Sequence, residues 1–423
     1  MKKTILLLLL AAVSVGTESC TRSTRPAGAD AEVAERNFVA SNFDFASGQL
    51  RYALARLDLI TMGRDTTVSG RAFADTRPGA YLPRSLREDG SLMVVPSGDW
   101  TSGFFPGELW MMYEYTQDPL WMEAARRYTD PIEKQKLNKG THDLGFMLYC
   151  SFGNGYRLTG DPHYREVLIE TARTLVSRFN PTVGCIRSWD FGSWKYPVII
   201  DNMLNLELLM WAYNETGEKI FRDVAVSHAN TTIKNHFRDD CSSFHVVNYD
   251  PRTGEVISRG THQGLADDSA WARGQSWGLY GYTMMYRLTQ DRAYLEQARK
   301  IATYILENPA MPDDLVPYWD YSLPDVKGEP RDASSAAIVA SALYELDGYL
   351  PDAGYKETAD TILANLARDY TAKPGTAEGF LLLHSTGHKT ADSEIDVPIN
   401  YADYYFMEAL LRKSKIEAGK PLF

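Results

Sequence analysis

The chain has 423 residues, of which 44% are hydrophobic and 12% aromatic, so it can bury a large core in one domain or two. Its formal net charge of −11 gives it no overall attraction for nucleic acid or anionic lipid, and we expect no nucleic-acid partner. These figures leave open an anionic small substrate in a pocket with local basic residues.

The first 20 residues have the pattern of an export signal. Two lysines precede an apolar run over residues 5–13 that is too short to span a bilayer. Cys20 follows in a context that resembles a bacterial lipoprotein signal, so we predict a signal peptide over residues 1–20 and a flexible tether over residues 21–40. The protein is expected in the periplasm, either free after ordinary cleavage or anchored to the membrane through Cys20. Fractionation of a Cys20→Ser variant distinguishes the two.

Three further cysteines stand at positions 150, 185 and 241. Three thiols do not make a disulfide framework, and no pair has metal-ligand spacing. We interpret them as packing residues, and no metal motif is present in the sequence.

A short phrase recurs between helical segments rich in aromatic residues and amphipathic helices. A threonine is followed by glutamine or glycine and then by an acidic residue, as in Thr116-Gln-Asp118, Thr159-Gly-Asp161, Thr216-Gly-Glu218 and Thr289-Gln-Asp291. Such repetition indicates one supersecondary unit, here an inner apolar helix, a turn and an outer amphipathic helix. About six such hairpins in a ring predict an all-α fold. We expect one (α/α)6 barrel domain over residues 41–423, opened by residues 41–59 and closed by residues 394–411.

Four stretches rich in aromatic and ionisable residues stand where an inner helix is expected to begin. They are Asp99-Trp100, His142-Asp143, Asp201-Asn202 and the run from His262 to Trp277. On a toroid these starts converge at one rim, and the insertions over residues 183–197 and 239–267 become loops over the mouth. Tryptophan stacks on sugar faces and arginine binds carboxylates, so the sequence predicts a site for a sugar that carries an anionic group.

Each of these residues also has a purely structural interpretation. Asp201 and Asp143 could cap the helices that follow them, since aspartate is among the best N-cap residues. Arg273 could be a buried ion-pair partner of Asp267 or Asp268, and the histidines and tryptophans could belong to the core. The placement of two acids and these bases at equivalent positions of separate repeats favours function, because a core requires no such coincidence.

The order of these motifs resembles glycoside hydrolase family 88, the unsaturated glucuronyl hydrolases. The similarity covers roughly residues 41–413 and is carried by His142-Asp143-Leu-Gly-Phe, Asp201-Asn202-Met, His262-Gln-Gly and Trp271-Ala-Arg273-Gly-Gln-Ser-Trp277. The resemblance implies an (α/α)6 barrel and action on lyase-generated oligosaccharides, whose non-reducing end is a 4,5-unsaturated uronic acid. A general acid would protonate C4, water would add at C5, and the glycosidic bond would open without any metal or cofactor.

The resemblance also implies roles for individual residues. Asp201 matches the general acid/base and Asp143 the second essential aspartate. Apolar neighbours would raise the pKa of Asp201 and the helix dipole would lower it, a balance that the sequence leaves open. Substrate-binding roles are expected for His142, His262, Gln263, Arg273, Gln275, Trp277, Trp100 and Trp189.

Three alternatives remain open. They are an unsaturated rhamnogalacturonyl hydrolase acting on pectin lyase products, a conventional inverting glycosidase or lyase on the same barrel, and a non-catalytic lipoprotein that captures oligosaccharides. A panel of unsaturated disaccharides, activity on saturated glycans and binding without turnover distinguish them.

A loop before the closing helix completes the candidate site. The stretch Leu383-His384-Ser385-Thr-Gly-His388-Lys389 offers hydroxyls, a glycine turn and groups that can carry positive charge. We expect Ser385, His388 and Lys389 to bind a sulfate or hydroxyl of the sugar next to the uronate. The family's serine/lysine spacing for sulfate is not reproduced here, and a solvated loop is the competing interpretation.

Overall fold

A computed structural model describes residues 27–62 and 79–423, with side chains from residue 38 onward. The predicted signal peptide and Cys20 lie outside the described residues. Within them the α-helices are α1 (Ala27–Thr61), α2 (Phe104–Thr116), α3 (Pro119–Thr129), α4 (Asn154–Thr159), α5 (Pro162–Val176), α6 (Asn202–Thr216), α7 (Lys219–His236), α8 (Ala272–Thr289), α9 (Arg292–Leu306), α10 (Ala333–Asp347), α11 (Tyr355–Asn365) and α12 (Asn400–Glu417). A π-helical segment, Gly145–Gly153, runs directly into α4. In the described ranges no helix is long and apolar enough to cross a bilayer.

The inner helices close into a ring. α2 packs against the π-helical segment, that segment against α6, and the contacts continue through α8, α10 and α12 back to α2. The outer helices α3, α5, α7, α9 and α11 each pack on the inner helix that precedes them, and α1 packs on α12. The predicted (α/α)6 barrel is therefore confirmed, with α1 completing the sixth hairpin.

The first helix corrects the predicted tether. Residues 27–40 are helical, so α1 begins well before residue 41, and Val39 is only 3% exposed. The start of α1 is rich in alanine and glutamate, which have high helix propensity. The structured domain therefore includes residues that their small and polar character had assigned to a linker.

The recurring turn phrase ends one helix and begins the next wherever the chain reverses direction. The middle residue adopts the left-handed conformation that commonly ends a helix, at Gln117, Gly160, Gly217 and Gln290. Asp118 then accepts a hydrogen bond from the N–H of Leu120 as N-cap of α3, and the aspartates before α5 and α9 do the same. The phrase is thus a local signal that turns the chain from an inner to an outer helix.

Short antiparallel sheets, which the all-α prediction did not include, stand among the loops. They are built from β1 (Tyr81–Leu86), β2 (Leu92–Pro96), β3 (Phe179–Asn180), β4 (Cys185–Ile186), β5 (Pro197–Ile199), β6 (Val246–Tyr249) and β7 (Val256–Gly260). β5, β6 and β7 form one sheet in that order, and β5 leads into α6. Strands of two to six residues are too short for hydrophobic periodicity to distinguish from a loop.

Two carboxyl groups are buried between α1, α2 and α12. Glu108 on α2 and Asp403 on α12 are both almost fully buried, and Asp403 accepts the backbone N–H groups of Leu381 and Leu382. Burial raises the pKa of Asp403 to about 8. Burial and the nearby charge of Asp403 raise the pKa of Glu108 well above its usual range. The folded chain therefore keeps protons here that an unfolded chain releases at about pH 4.

The free energy of unfolding should consequently fall as pH rises from about 4 to about 8, by up to ~1.4 kcal/mol per pH unit for each retained proton. Glu108→Gln removes one of the two groups and should flatten this fall. Urea unfolding at pH 5, 6.5 and 8 measures the effect, with Glu166→Gln on the exposed face of α5 as the control. Identical pH dependence in Glu108→Gln and the parent protein would contradict the assignment.

Candidate active site

The starts of the inner helices surround a cavity of about 290 Å³. Its walls come from the segments that precede α2, the π-helical segment, α6, α8 and α12. The cavity brings together seven of the predicted site residues: Asp201, Asp143, His142, His262, Gln263, Trp100 and Trp189. The expected convergence at one rim is therefore present in the structure.

Asp201 occupies the residue before α6 without capping that helix. Its side chain makes no cap hydrogen bond, it is 6% exposed, and Oδ2 has no hydrogen-bond partner among the described residues. Burial raises the pKa of Asp201 to about 7, the charge of Arg273 opposes this, and the charge of Asp143 adds to it. Burial therefore decides the balance, and Asp201 can hold a proton near neutral pH.

Asp143 lies at the same rim in a more polar setting. The hydroxyl of Thr141 donates to Asp143 Oδ2 at 2.6 Å, and His142 Nε2 lies 3.2 Å from Oδ1. Burial lowers the pKa of His142, which favours the neutral imidazole. The backbone N–H of His142 donates to the backbone oxygen of Ser188, which ties this part of the rim to the loop before β5. Asp143 is not a helix cap, because the π-helical segment begins after Leu144 with no side-chain cap.

His245 is a residue of this site that no sequence motif marked. Its Nε2 lies 3.6 Å from Asp201 Oδ2, and its Nδ1 accepts the backbone N–H groups of His262 and Gln263 at 3.1 Å each. Burial and then the charge of His262 lower the pKa of His245 well below its usual range. Because Nδ1 accepts, the neutral ring carries its proton on Nε2, which faces Asp201. The pairing of β5 with β6 brings His245 here, and local sequence does not reveal that pairing.

Arg84 and Glu394 also line the cavity and were not predicted. Arg84, on β1, donates to Glu394 through Nε and Nη2 at 2.9 and 2.6 Å, and to Asp99 through Nη1 at 2.9 Å. Its guanidinium lies 6.0 Å from the ring centroid of Trp100. This network fixes one wall of the cavity and joins β1 to the loop before α12. Among the described residues, no group of three or more histidine, cysteine, aspartate or glutamate side chains is placed to hold a metal ion.

Arg273, for which a substrate-binding role is predicted, does not line the cavity in the structure. Arg273 is fully buried and donates through Nη1 to Asp332 at 2.9 Å, not to Asp267 or Asp268. It also donates to the backbone oxygens of residues 386 and 387 at 2.6 Å each. Gln263 donates to the oxygen of Gly387 as well. Arg273 therefore fixes the loop that forms the rim, and its Nη1 and Nη2 are bound to Asp332 and two backbone oxygens.

Gln275 and Trp277 likewise lie behind the wall and do not contact the cavity. The side-chain oxygen of Gln275 accepts the N–H and the hydroxyl hydrogen bonds of Ser243, two residues before His245. Trp277 is fully buried, with ring centroids 5.1 Å from Phe146 and 5.4 Å from Tyr405. Both residues lie in the first turns of α8, where Gln275 holds the segment before His245 and Trp277 packs in the core.

The loop before α12 differs from the prediction in the same way. Ser385 is fully buried in a bridge with Val397 and does not line the cavity. Lys389 is partly exposed in a short 3₁₀ turn and does not line the cavity. His388 and Glu394 of this loop do line it, and burial lowers the pKa of His388. Of the three residues predicted for this loop, only His388 lines the cavity, and it does so together with the carboxylate of Glu394.

The chain is similar to known proteins over most of its length. The model of Glycosyl Hydrolase Family 88 matches residues 87–420. A Formosa agariphila protein described as an unsaturated glucuronyl hydrolase is 50% identical over 326 residues, covering 76% of this chain and 82% of that protein. A Streptococcus pneumoniae protein described as an unsaturated chondroitin disaccharide hydrolase is 35% identical over 342 residues, covering 78% and 86%. The crystal structure of an unsaturated glucuronyl hydrolase specific for heparin has a TM-score of 0.84 and 47% identity, covering 90% of this chain and 98% of that one.

Removing the buried charge of Arg273 should destabilise the fold. In Arg273→Met, Asp332 loses its partner in a dry environment, so the free energy of unfolding should fall by roughly 3–5 kcal/mol. Urea unfolding measures this, with Arg252→Met as the control, since Arg252 is highly exposed. A variant that unfolds like the parent protein and only raises KM would restore Arg273 as a substrate contact.

Proposed function

The chain belongs to glycosyl hydrolase family 88, and on that premise we propose that it removes the 4,5-unsaturated uronic acid from the non-reducing end of glycosaminoglycan lyase products. As a member of this family it is a glycoside hydrolase. One observation carries the assignment of roles. A desolvated carboxyl that holds a proton near neutral pH, Asp201, shares a cavity with a second carboxyl, Asp143, whose charge helps to retain that proton.

The substrate class follows from the relatives and from the cavity. One relative is described by its action on chondroitin disaccharides and another as specific for heparin, so disaccharides of both kinds are the first substrates to test. The cavity is lined by Trp100 and Trp189, whose rings suit the faces of sugars. Its histidines are neutral donors or acceptors for hydroxyl groups, since burial lowers the pKa of His142, His262 and His388.

The reaction uses the proton of Asp201. The carboxyl of Asp201 gives its proton to C4, the C4=C5 π electrons form the new C–H bond, and positive charge develops at C5, where the ring oxygen shares it. Water adds at C5 and releases a proton to the carboxylate of Asp201, which restores the acid. The resulting hemiketal opens, the glycosidic bond breaks, and a keto uronate and a shortened sugar leave. Asp143, held by Thr141, orients the water or the ring hydroxyls in this scheme.

His245 positions Asp201 in this scheme. Its Nδ1 is fixed by two backbone N–H groups, so the ring cannot rotate without breaking both hydrogen bonds. Its Nε2–H therefore stays directed at Asp201 Oδ2 across 3.6 Å, a distance that closes to a hydrogen bond with a small shift. A donor in this place stabilises the carboxylate of Asp201 once the proton has left for C4.

Asp201→Asn should abolish the reaction, lowering the rate at least about a hundredfold, the scale expected when a positioned acid is lost. The conjugated double bond absorbs in the ultraviolet, so loss of absorbance on unsaturated chondroitin, hyaluronan, heparin and pectin disaccharides measures turnover. Asp268→Asn removes a similar carboxylate from an exposed loop position and serves as the control. If the parent protein lowers the ultraviolet absorbance of none of these substrates, the proposed function is wrong. If Asp201→Asn retains near-normal rates, the assignment of the acid is wrong.

The pH dependence tests how the two aspartates cooperate. Asp201 is active when protonated, so kcat/KM should fall as pH rises through about 7. The charge of Asp143 raises the pKa of Asp201, so Asp143→Asn should move this alkaline limb to lower pH as well as reducing the rate. Profiles from pH 4.5 to 8.5 measure both effects, again with Asp268→Asn as the control. A limb that stays in place in Asp143→Asn would show that Asp143 does not act on this proton.

A further inference from the structure

The segment between β4 and β5 presents an exposed aromatic ring at the mouth of the cavity. Phe191 lines the cavity, yet it is 56% exposed. One face of its ring stacks on Trp189, with centroids 5.0 Å apart and planes inclined by 13°. Leaving so much apolar surface in water forgoes hydrophobic stabilisation, so packing within the fold does not account for this ring.

The ring is held in place by the residues on both sides of it. Asp190 accepts hydrogen bonds from Nη1 and Nη2 of the buried Arg178 at 2.9 and 3.2 Å, and Arg187 lies 3.2 Å from the same carboxylate. Gly192 adopts a φ of +77°, and a Cβ there would lie 2.8 Å from the ring of Trp194. The turn after Phe191 therefore requires glycine. A ring fixed in this way loses little conformational entropy when a ligand binds.

Trp189, beside Phe191, offers a hydrogen-bond donor to a bound molecule. It is 8% exposed and lines the cavity, and its Nε1 has no hydrogen-bond acceptor among the described residues. A buried indole N–H usually has a partner, so an acceptor from a bound molecule is expected here. An N–H donor beside a planar apolar face matches a sugar ring, which has hydroxyl oxygens at its edge and C–H groups on its face.

We propose that Phe191 is the platform on which a third sugar ring stacks when the substrate is longer than a disaccharide. The inference rests on the proposed function. The cavity of about 290 Å³ is at the small end of ligand pockets, which suits the unsaturated uronate and its neighbour. Phe191 is the most exposed aromatic residue of the cavity lining, so we place the third ring against its outer face. Stacking uses the C–H face of a sugar and accepts any substituent that lies at the ring edge.

The test compares an unsaturated disaccharide with the unsaturated tetrasaccharide of the same polysaccharide. In Phe191→Ala, KM for the tetrasaccharide should rise about three- to tenfold with kcat unchanged, which is the scale of one aromatic stacking contact. KM and kcat for the disaccharide should stay within about twofold of the parent values, well below that stacking effect. Phe191→Tyr keeps a planar ring and should restore the tetrasaccharide KM. Leu265→Ala, an exposed apolar position that does not line the cavity, is the matched control and should change neither substrate.

Several results would overturn the proposal. An equal rise of KM for both substrates would show that Phe191 only supports Trp189. An unchanged tetrasaccharide KM would show that the ring contacts no sugar. A change of oligomeric state in Phe191→Ala, seen by size-exclusion chromatography, would assign the ring to a contact between subunits. If the parent protein turns over no unsaturated substrate, the proposed function itself is refuted. This outcome is detected with the parent protein alone, without any variant.

Discussion

Closure of the inner ring is the constraint on which the rest of this structure depends. Helices such as α6 and α8 are apolar on most faces, and only a closed ring of neighbours with an outer layer buries all of those faces. Since every inner helix runs in the same direction, all of their first turns meet at one end of the barrel. The polar and aromatic residues at those first turns therefore share one cavity, although they come from five separate parts of the chain.

Desolvation of one carboxyl at this end raises its pKa. Asp201 is surrounded by the wall that closes the barrel, so water does not stabilise its charge, and its proton is retained to about pH 7. Arg273 opposes this, but it is itself committed to Asp332 and to two backbone oxygens. Asp143 is less buried and accepts a hydroxyl hydrogen bond. Two carboxyls in unlike environments are the arrangement that acid–base catalysis requires.

The loops that cover this end determine what can enter. The sheet of β5, β6 and β7 carries His245 to Asp201, and the segment between β4 and β5 carries Trp189 and Phe191 to the mouth. Arg84 and Glu394 tie the opposite wall together. Since Arg84 is neutralised by two carboxylates, the rim is not a cationic surface. Aromatic rings and neutral hydrogen-bonding groups therefore make up much of the cavity wall.

The sequence by itself determined the hairpin unit, the ring and the rim at which the motif residues meet. The turn phrase and the apolar helices are local patterns, and each depends on residues that are close together in the chain. It did not determine which motif residues face the cavity. Arg273 and Asp332 are 59 positions apart, and Arg84 and Glu394 are 310 apart. Such pairs form only when the closed ring brings distant loops together. Burial of Arg273 and Ser385 and exposure of Phe191 were therefore decided by tertiary structure.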